Sequence, residues 1–170
     1  MTRPATTFAA GAFAIGVSLL PMAAGAADDD ISQIKALEGR FAAAVNAKDV
    51  DAIMKVYVPG ERLLSFDLVP PRQYVGAAAY RKDWEGFFAT VKGPLKFTLT
   101  DLAVDADQSL GYSHSIQSYS YTDVKGNPID ATVRVTDIYR KIDGQWLIEH
   151  EHESVPVDLA TGKPDFTSKP

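Results

Sequence analysis

Between residues 31 and 58 the apolar positions Ile31, Ile34, Leu37, Phe41, Ala44 and Val45 recur at intervals of three and four, a spacing that gathers them on one face of a helix. Asp28, Asp29 and Asp30 precede that face and would sit at the positive end of the helix dipole. The polar break Asn46-Ala47-Lys48-Asp49 interrupts the pattern; Ala52, Ile53, Val56 and Tyr57 then begin a second, short helix that Pro59-Gly60 ends. Residues 62–66 read as a strand, and residues 67–76, with Pro70-Pro71 and Gly76, as a loop. Tyr80, Trp84, Phe87 and Phe88 restore helical spacing over residues 77–91. Beyond that point the period changes to two. Residues 95–105, 109–122, 130–142 and 145–155 alternate between apolar and polar and are separated by turn residues, which predicts a meander of long strands. The remainder, carrying Pro156, Gly162, Pro164 and Pro170, reads as an extended tail. The class is α+β, with three helices ahead of an antiparallel sheet.

Turn chemistry sets an expected register for that sheet. Asp143-Gly144 lies between two alternating runs and predicts a two-residue hairpin that pairs Ile142 with Gln145. Counting back places Tyr139 opposite Ile148, Asp137 opposite His150 and Val135 opposite His152, all on the face that packs on the helices. Glu149, Glu151 and Glu153 then fall on the outer face, with Arg134, Thr136, Ile138 and Arg140. A two-residue turn near Lys125-Gly126-Asn127 adds Leu110, Tyr112, His114 and Ile116 to the inner face. On this register all three histidines share a face with Asp137.

Two properties of the chain change the picture. Residues 1–27 open with Arg3, continue through an uncharged, largely Ala/Gly/Phe/Ile/Leu run and meet Asp28 behind small residues, the layout of a secretory leader. A periplasmic or secreted location is therefore expected, with one domain over residues 28–158, a tail over 159–170 and no membrane association after cleavage. The absence of cysteine leaves the fold to core packing and excludes thiol chemistry. A net charge of −5 without a Lys/Arg run argues against nucleic acid as a partner.

Two helices, a short strand, a proline loop, a third helix and a long meander ending in Gly144-Gln145-Trp146-Leu147-Ile148-Glu149-His150-Glu151-His152-Glu153-Ser154 resemble the SnoaL-like branch of the nuclear-transport-factor-two-like superfamily. The resemblance spans roughly residues 28–158. A similar ending occurs in the association domain of calmodulin-dependent kinases. The resemblance implies a cone: a strongly curved antiparallel sheet wrapped around three N-terminal helices, open at one end, in a chain that forms homodimers through the outer sheet face. Ketosteroid isomerases of this superfamily carry a general-base aspartate where Asp67 stands and a hydrogen-bond-donating acid where Asp137 stands. Their oxyanion-binding tyrosine is replaced here by Phe41, which has no hydroxyl, so steroid isomerisation itself is not expected.

The candidate chemistry follows from both lines. Asp137 with His150 is a candidate acid/base dyad, the carboxylate fixing the imidazole tautomer and raising its basicity, or else a polar pair that satisfies itself inside the cone. Asp67 is a candidate base at the pocket mouth, or a loop residue bonded to its own backbone. His114, Tyr112, Tyr139, His152, Trp84 and Tyr57 are candidate ligand-binding residues. His114 lies two strands from His150 and His152, too far for a compact tri-histidine metal site, and no cofactor is implied. The partner expected is a small, mainly apolar molecule held in the cone. The competing expectation is an isomerase, cyclase or dehydratase that moves a proton beside a carbonyl.

Overall fold

A computed structural model describes residues 23–168. Helix α1 (Ala23–Ala47) buries Ile34, Leu37, Phe41, Ala44 and Val45, the stripe that the spacing predicts. It begins earlier than expected, at Ala23, so the aspartates at 28–30 lie inside it instead of ahead of it. Asp30 is buried and accepts from Lys141 Nζ (2.5 Å) and Trp146 Nε1 (3.0 Å), which ties α1 to the end of the sheet. Of the expected leader, residues 1–22 lie outside the described residues.

Helix α2 (Val50–Met54) is capped by Asp49, whose side chain accepts from Ala52 N, as a short polar side chain does at a helix start. Strand β1 (Leu64–Phe66), strand β2 (Tyr74–Val75) within the expected loop, and helix α3 (Ala77–Ala89) follow. The aromatic rings of α3 close the core: Phe41 meets Tyr57, Trp84 and Phe97 edge-on, with centroids 5.7–6.2 Å apart. Fully burying side chains such as Leu37, Ile53 and Leu63 contributes about 1.5–3 kcal/mol each.

The long strands are β3 (Val91–Asp107), β4 (Leu110–Asp123), β5 (Pro128–Ile142) and β6 (Gln145–Ser154), in the sheet order β2-β1-β6-β5-β4-β3. The sheet is mixed, because β1 pairs parallel to β6, whereas an antiparallel sheet is expected from the meander alone. Where a plain tail is expected, β7 (Val157–Asp158) and β8 (Lys163–Pro164) form a small hairpin, and Thr132 N of β5 donates to Phe166 O.

Two irregularities reverse the expected faces of the sheet. The Asp143-Gly144 turn forms as predicted, both residues at positive φ, and pairs Ile142 with Gln145 and Tyr139 with Ile148. Then Ile138 opposes His150, leaving Glu149 as an extra residue on β6. This β-bulge moves every later side chain of β6 to the other face. Its cause is visible along the strand edge. Val56 and Val58 bond Ile148 before the bulge, β1 pairs from His150 onward, and Glu149 itself is held outside by Arg62 and by Arg140 Nε and Nη2 at 3.0 and 2.9 Å.

The second irregularity is the β4–β5 connection. Asp123 N donates to Asn127 O, so the loop is the three residues Val124, Lys125 and Gly126, not two. Gly126 N donates to Asp123 O, and Gly126 takes φ +91°, which fits a type I turn followed by a left-handed glycine. The odd loop length pairs Ser113, not Tyr112 or His114, on the face of Asp137. The inner face of β4 is therefore Gly111, Ser113, Ser115 and Gln117, all buried.

Candidate functional site

With both irregularities in place, the inner face of the sheet carries acids and hydroxyls instead of imidazoles. Asp137 lies opposite Glu151 and next to Ser113. Tyr139 donates from its hydroxyl to Glu38 Oε1 of α1 (2.6 Å), and Ser113 Oγ lies 2.7 Å from the same phenol. Glu151 accepts from Tyr57 (2.7 Å) and from Tyr80. Glu38, Asp137 and Glu151 are each 1–2 % exposed, and among the described residues no lysine or arginine pairs with them.

Burial without a cation raises these carboxyls, because the charged form loses its hydration. It pushes Glu38 up to about 7 against the hydrogen bond from Tyr139, which works the other way. Glu151 also rises to about 7: burial dominates, Tyr80 and Tyr57 partly offset it, and the charges of Asp67 and Glu38 add to it. Asp137 is raised well above the ordinary carboxylate range, by burial first and by Glu38, Glu151 and Glu153 next. Burial thus shifts all three towards the protonated form.

At one end of this row the sheet opens on a cavity of about 460 Å³. Its walls are apolar and aromatic: Leu68 and Val69 from the segment after β1, Trp84 and Phe87 from α3, Tyr119, Tyr121 and Val133 from the sheet. Its polar lining is the three carboxyls of Asp67, Asp83 and Glu153 with Thr90 and, exposed at the rim, Lys82. The parallel pairing of Phe66 with His152 brings the next residues, Asp67 and Glu153, side by side. Asp67 Oδ1 accepts from Val69 N at 3.0 Å, which turns the chain over the cavity. Burial raises Asp67, the Val69 N–H opposes the rise, and the Asp83 carboxyl adds to it by its charge and by a hydrogen bond; the result is about 6. Glu153 is raised well above the usual range by burial and then by the charge of Asp67. Among the described residues Glu153 has no hydrogen-bond or ion-pair partner.

The expected site residues fall into three groups. Asp67 and Trp84 line the cavity. Asp137, Tyr139 and Tyr57 sit in the buried network behind it, Tyr57 as a core ring with its hydroxyl on Glu151. His114, His150, His152 and Tyr112 are on the opposite, outer face, which removes the Asp137–His150 pair: Asp137 faces Glu151, and His150 Nδ1 meets Leu64 O at 2.8 Å with its ring edge-on to Phe66. The physical reason is the bulge at Glu149 for His150 and His152 and the three-residue loop for His114 and Tyr112. Of the groups that replace them, Glu151 and Glu153 escape the pattern because a bulge at a charged residue leaves no local mark, and Glu38 because a lone glutamate next to Leu37 on α1 reads as solvated; only Gly126, in the third position of its loop, signals the odd turn length. Among the described residues no three His, Asp or Glu side chains converge on a metal position.

Helices enclosed by a curved sheet, with a cavity at the open end of a row of inward-facing polar residues, define the nuclear-transport-factor-two-like class. The chain belongs to the SnoaL-like domain family, which it matches over residues 34–158. It is similar to the crystal structure of a nuclear-transport-factor-two-like protein of unknown function from Pseudomonas putida KT2440, at 31 % identity over 84 % of this chain and 98 % of that one, with a TM-score of 0.76. Lower similarity, which speaks for the fold alone, extends to a proposed dehydratase of the same superfamily from Streptomyces avermitilis (15 % identity, 75 % and 96 % covered, TM-score 0.65). It extends also to a proposed scytalone dehydratase from Novosphingobium aromaticivorans DSM 12444 (16 % identity, 76 % and 85 % covered, TM-score 0.65). No curated protein matches the chain in sequence.

Proposed function

We propose that this protein binds a small, mainly apolar molecule in the cavity between α3 and the open end of the sheet. One observation carries the reading: a space of about 460 Å³ with aromatic and aliphatic walls and a few convergent polar groups, the form that small-molecule sites take. A structural or dimerisation module would instead fill its cone with side chains. The leader-like residues 1–27 support placing this binding outside the cytoplasm. Homodimerisation through the outer sheet face remains part of the proposal, that face now presenting Leu110, Tyr112 and His114.

The test uses an apolar fluorescent probe of naphthalene size and a variant that occupies the space. Val133 is buried at the cavity wall, and Val133→Trp places an indole there. The wild type is expected to bind the probe with micromolar affinity and to shift Trp84 emission, and the variant, if it retains wild-type far-ultraviolet circular dichroism, to bind at least tenfold more weakly. Equal binding by a folded variant would move the ligand elsewhere and defeat the reading.

A second reading is favoured by the state of Asp67. A carboxyl raised to about 6 at a cavity wall is still mostly ionised at pH 7 and more basic than an ordinary aspartate, which suits a general base. Burial raises Glu153 beside it well above the usual range, which favours the protonated form that can donate to an oxygen. In this reading Asp67 removes a proton from carbon next to a carbonyl while the Glu153 hydroxyl donates a hydrogen bond to the carbonyl oxygen, and the same proton returns to the substrate in an isomerisation. The pair replaces the Asp137–His150 dyad that the sequence alone suggests.

A further inference from the structure

The cavity carries an electrical asymmetry that its apolar walls do not require. Three carboxyls, Asp67, Asp83 and Glu153, face it, and the basic group at its lining, Lys82, extends into solvent at the rim that the cavity shares with a shallower surface depression. Lys82 forms no ion pair with any of the three carboxyls. Four basic groups pair elsewhere: Arg62 and Arg140 with Glu149, Arg81 with Asp51, and the half-buried Lys141 with Asp30. Asp67 and Glu153 are raised by burial and by neighbouring carboxyls, with no cation offsetting either. A protein that only needed an apolar pocket gains nothing from three acids in its wall with no cation paired to them, since taking a carboxyl out of water is costly.

Much of the remaining lining is aromatic. Phe87 stands edge-on to both Tyr119 and Tyr121, with centroids 5.8 and 5.6 Å apart at 85° and 89°, and Trp84 is 6.0 Å from Phe87. Rings set at right angles to one another around a space present both faces and edges to it, and a cation within about 6 Å of a ring face is attracted by the ring quadrupole. Carboxyls and aromatic rings lining one apolar cavity suit one class of molecule better than any other.

We infer that the cavity selects an organic cation, an amine or quaternary ammonium carried on an apolar, ring-sized body, with the charge against Asp67, Asp83 and Glu153 and the body among Trp84, Phe87, Tyr119 and Tyr121. This inference rests on the small-molecule reading above and narrows it. It excludes carboxylate ligands such as fatty acids, which would meet a wall of like charge without a guanidinium. Binding is linked to protons: a cation favours the ionised form of Asp67 and Glu153, so affinity rises with pH through the range in which Asp67 ionises, and binding releases protons.

Three probes on one ring system test it by calorimetry in the full chain: (2-naphthylmethyl)trimethylammonium, whose charge is independent of pH, 2-naphthylmethanol and 2-naphthoate. The expected order at pH 7.5 is ammonium at least tenfold tighter than alcohol, with naphthoate weakest. The ammonium affinity is expected to rise about tenfold between pH 5 and pH 7.5 while the alcohol affinity stays level. Asp67→Asn with Asp83→Asn is expected to erase the preference for ammonium and leave alcohol binding in place. Alcohol or naphthoate binding as tightly as the ammonium would overturn the inference and leave the pocket reading standing. Failure of all three probes would overturn both.

Discussion

Asp67 holds its position through its place in the local chain and through two neighbours it reaches through the fold. Its own Oδ1 closes a turn with Val69 N, it directly follows β1, its side chain borders Asp83 of α3, and the β1–β6 pairing sets it next to Glu153. The turn-forming aspartate expected from its position before Pro70-Pro71 and the cavity-lining carboxyl are thus the same residue in the same conformation. If Asp67 moves protons, Asp67→Asn keeps the apolar walls and removes the base. For a ketone that the wild type is shown to bind, the variant is expected to retain affinity within about threefold and to lose at least 100-fold in the rate of α-proton exchange with deuterated solvent, in line with the usual contribution of a general base. Unchanged exchange in the variant would remove Asp67 from the chemistry and leave binding alone.

At the scale of elements, the helices and strands were legible because their periodicities are strong, and the faces of the sheet were not. Ile34, Leu37, Phe41 and Val45 reach the core as their spacing says, and the Asp143-Gly144 hairpin holds its expected pairing for four rungs, Ile142 to Tyr139. The register then depends on a single residue, Glu149, whose bulge is stabilised by Arg62, Arg140 and the Val56–Val58 segment, all distant in sequence or on another strand. No window of alternating residues contains that information. The β4–β5 loop is different, because Gly126 in its left-handed position was a readable sign of three residues instead of two. Gly126→Ala adds a Cβ where φ is +91° and is expected to cost about 1 kcal/mol or more. Urea unfolding should show a lower midpoint with an unchanged slope; an unaltered midpoint would mean that the loop does not need the glycine conformation.

Across the whole molecule, the consequence of the two irregularities is an interior that stores protons. Glu38, Asp137 and Glu151 are buried with hydroxyl partners and no cation, Glu153 joins them at the cavity, and all four are raised. Had the plain register held, the glutamates of β6 would be solvated and three histidines would line the cone. For a glutamate whose value rises from 4.5 in the unfolded chain to about 7 in the native one, the folded state binds more protons between those values. Stability is therefore greatest below the unfolded value and falls as pH rises toward 7, then levels. The fall approaches on the order of 1–3 kcal/mol per group, since one pKa unit corresponds to about 1.4 kcal/mol. The carboxyls that are lowered, Asp30 and Glu149, titrate below this window in both states and leave the slope unchanged.

The inward turn of β6 after Glu149 is thus open to one direct measurement, the unfolding free energy of the wild type and of Glu151→Gln from pH 5 to pH 7.5. A wild-type stability that declines across this range, with a distinctly shallower decline in the variant, is the predicted result. A wild-type stability that rises or stays level over the same range, or an identical slope in the variant, would place Glu151 in solvent and contradict the account.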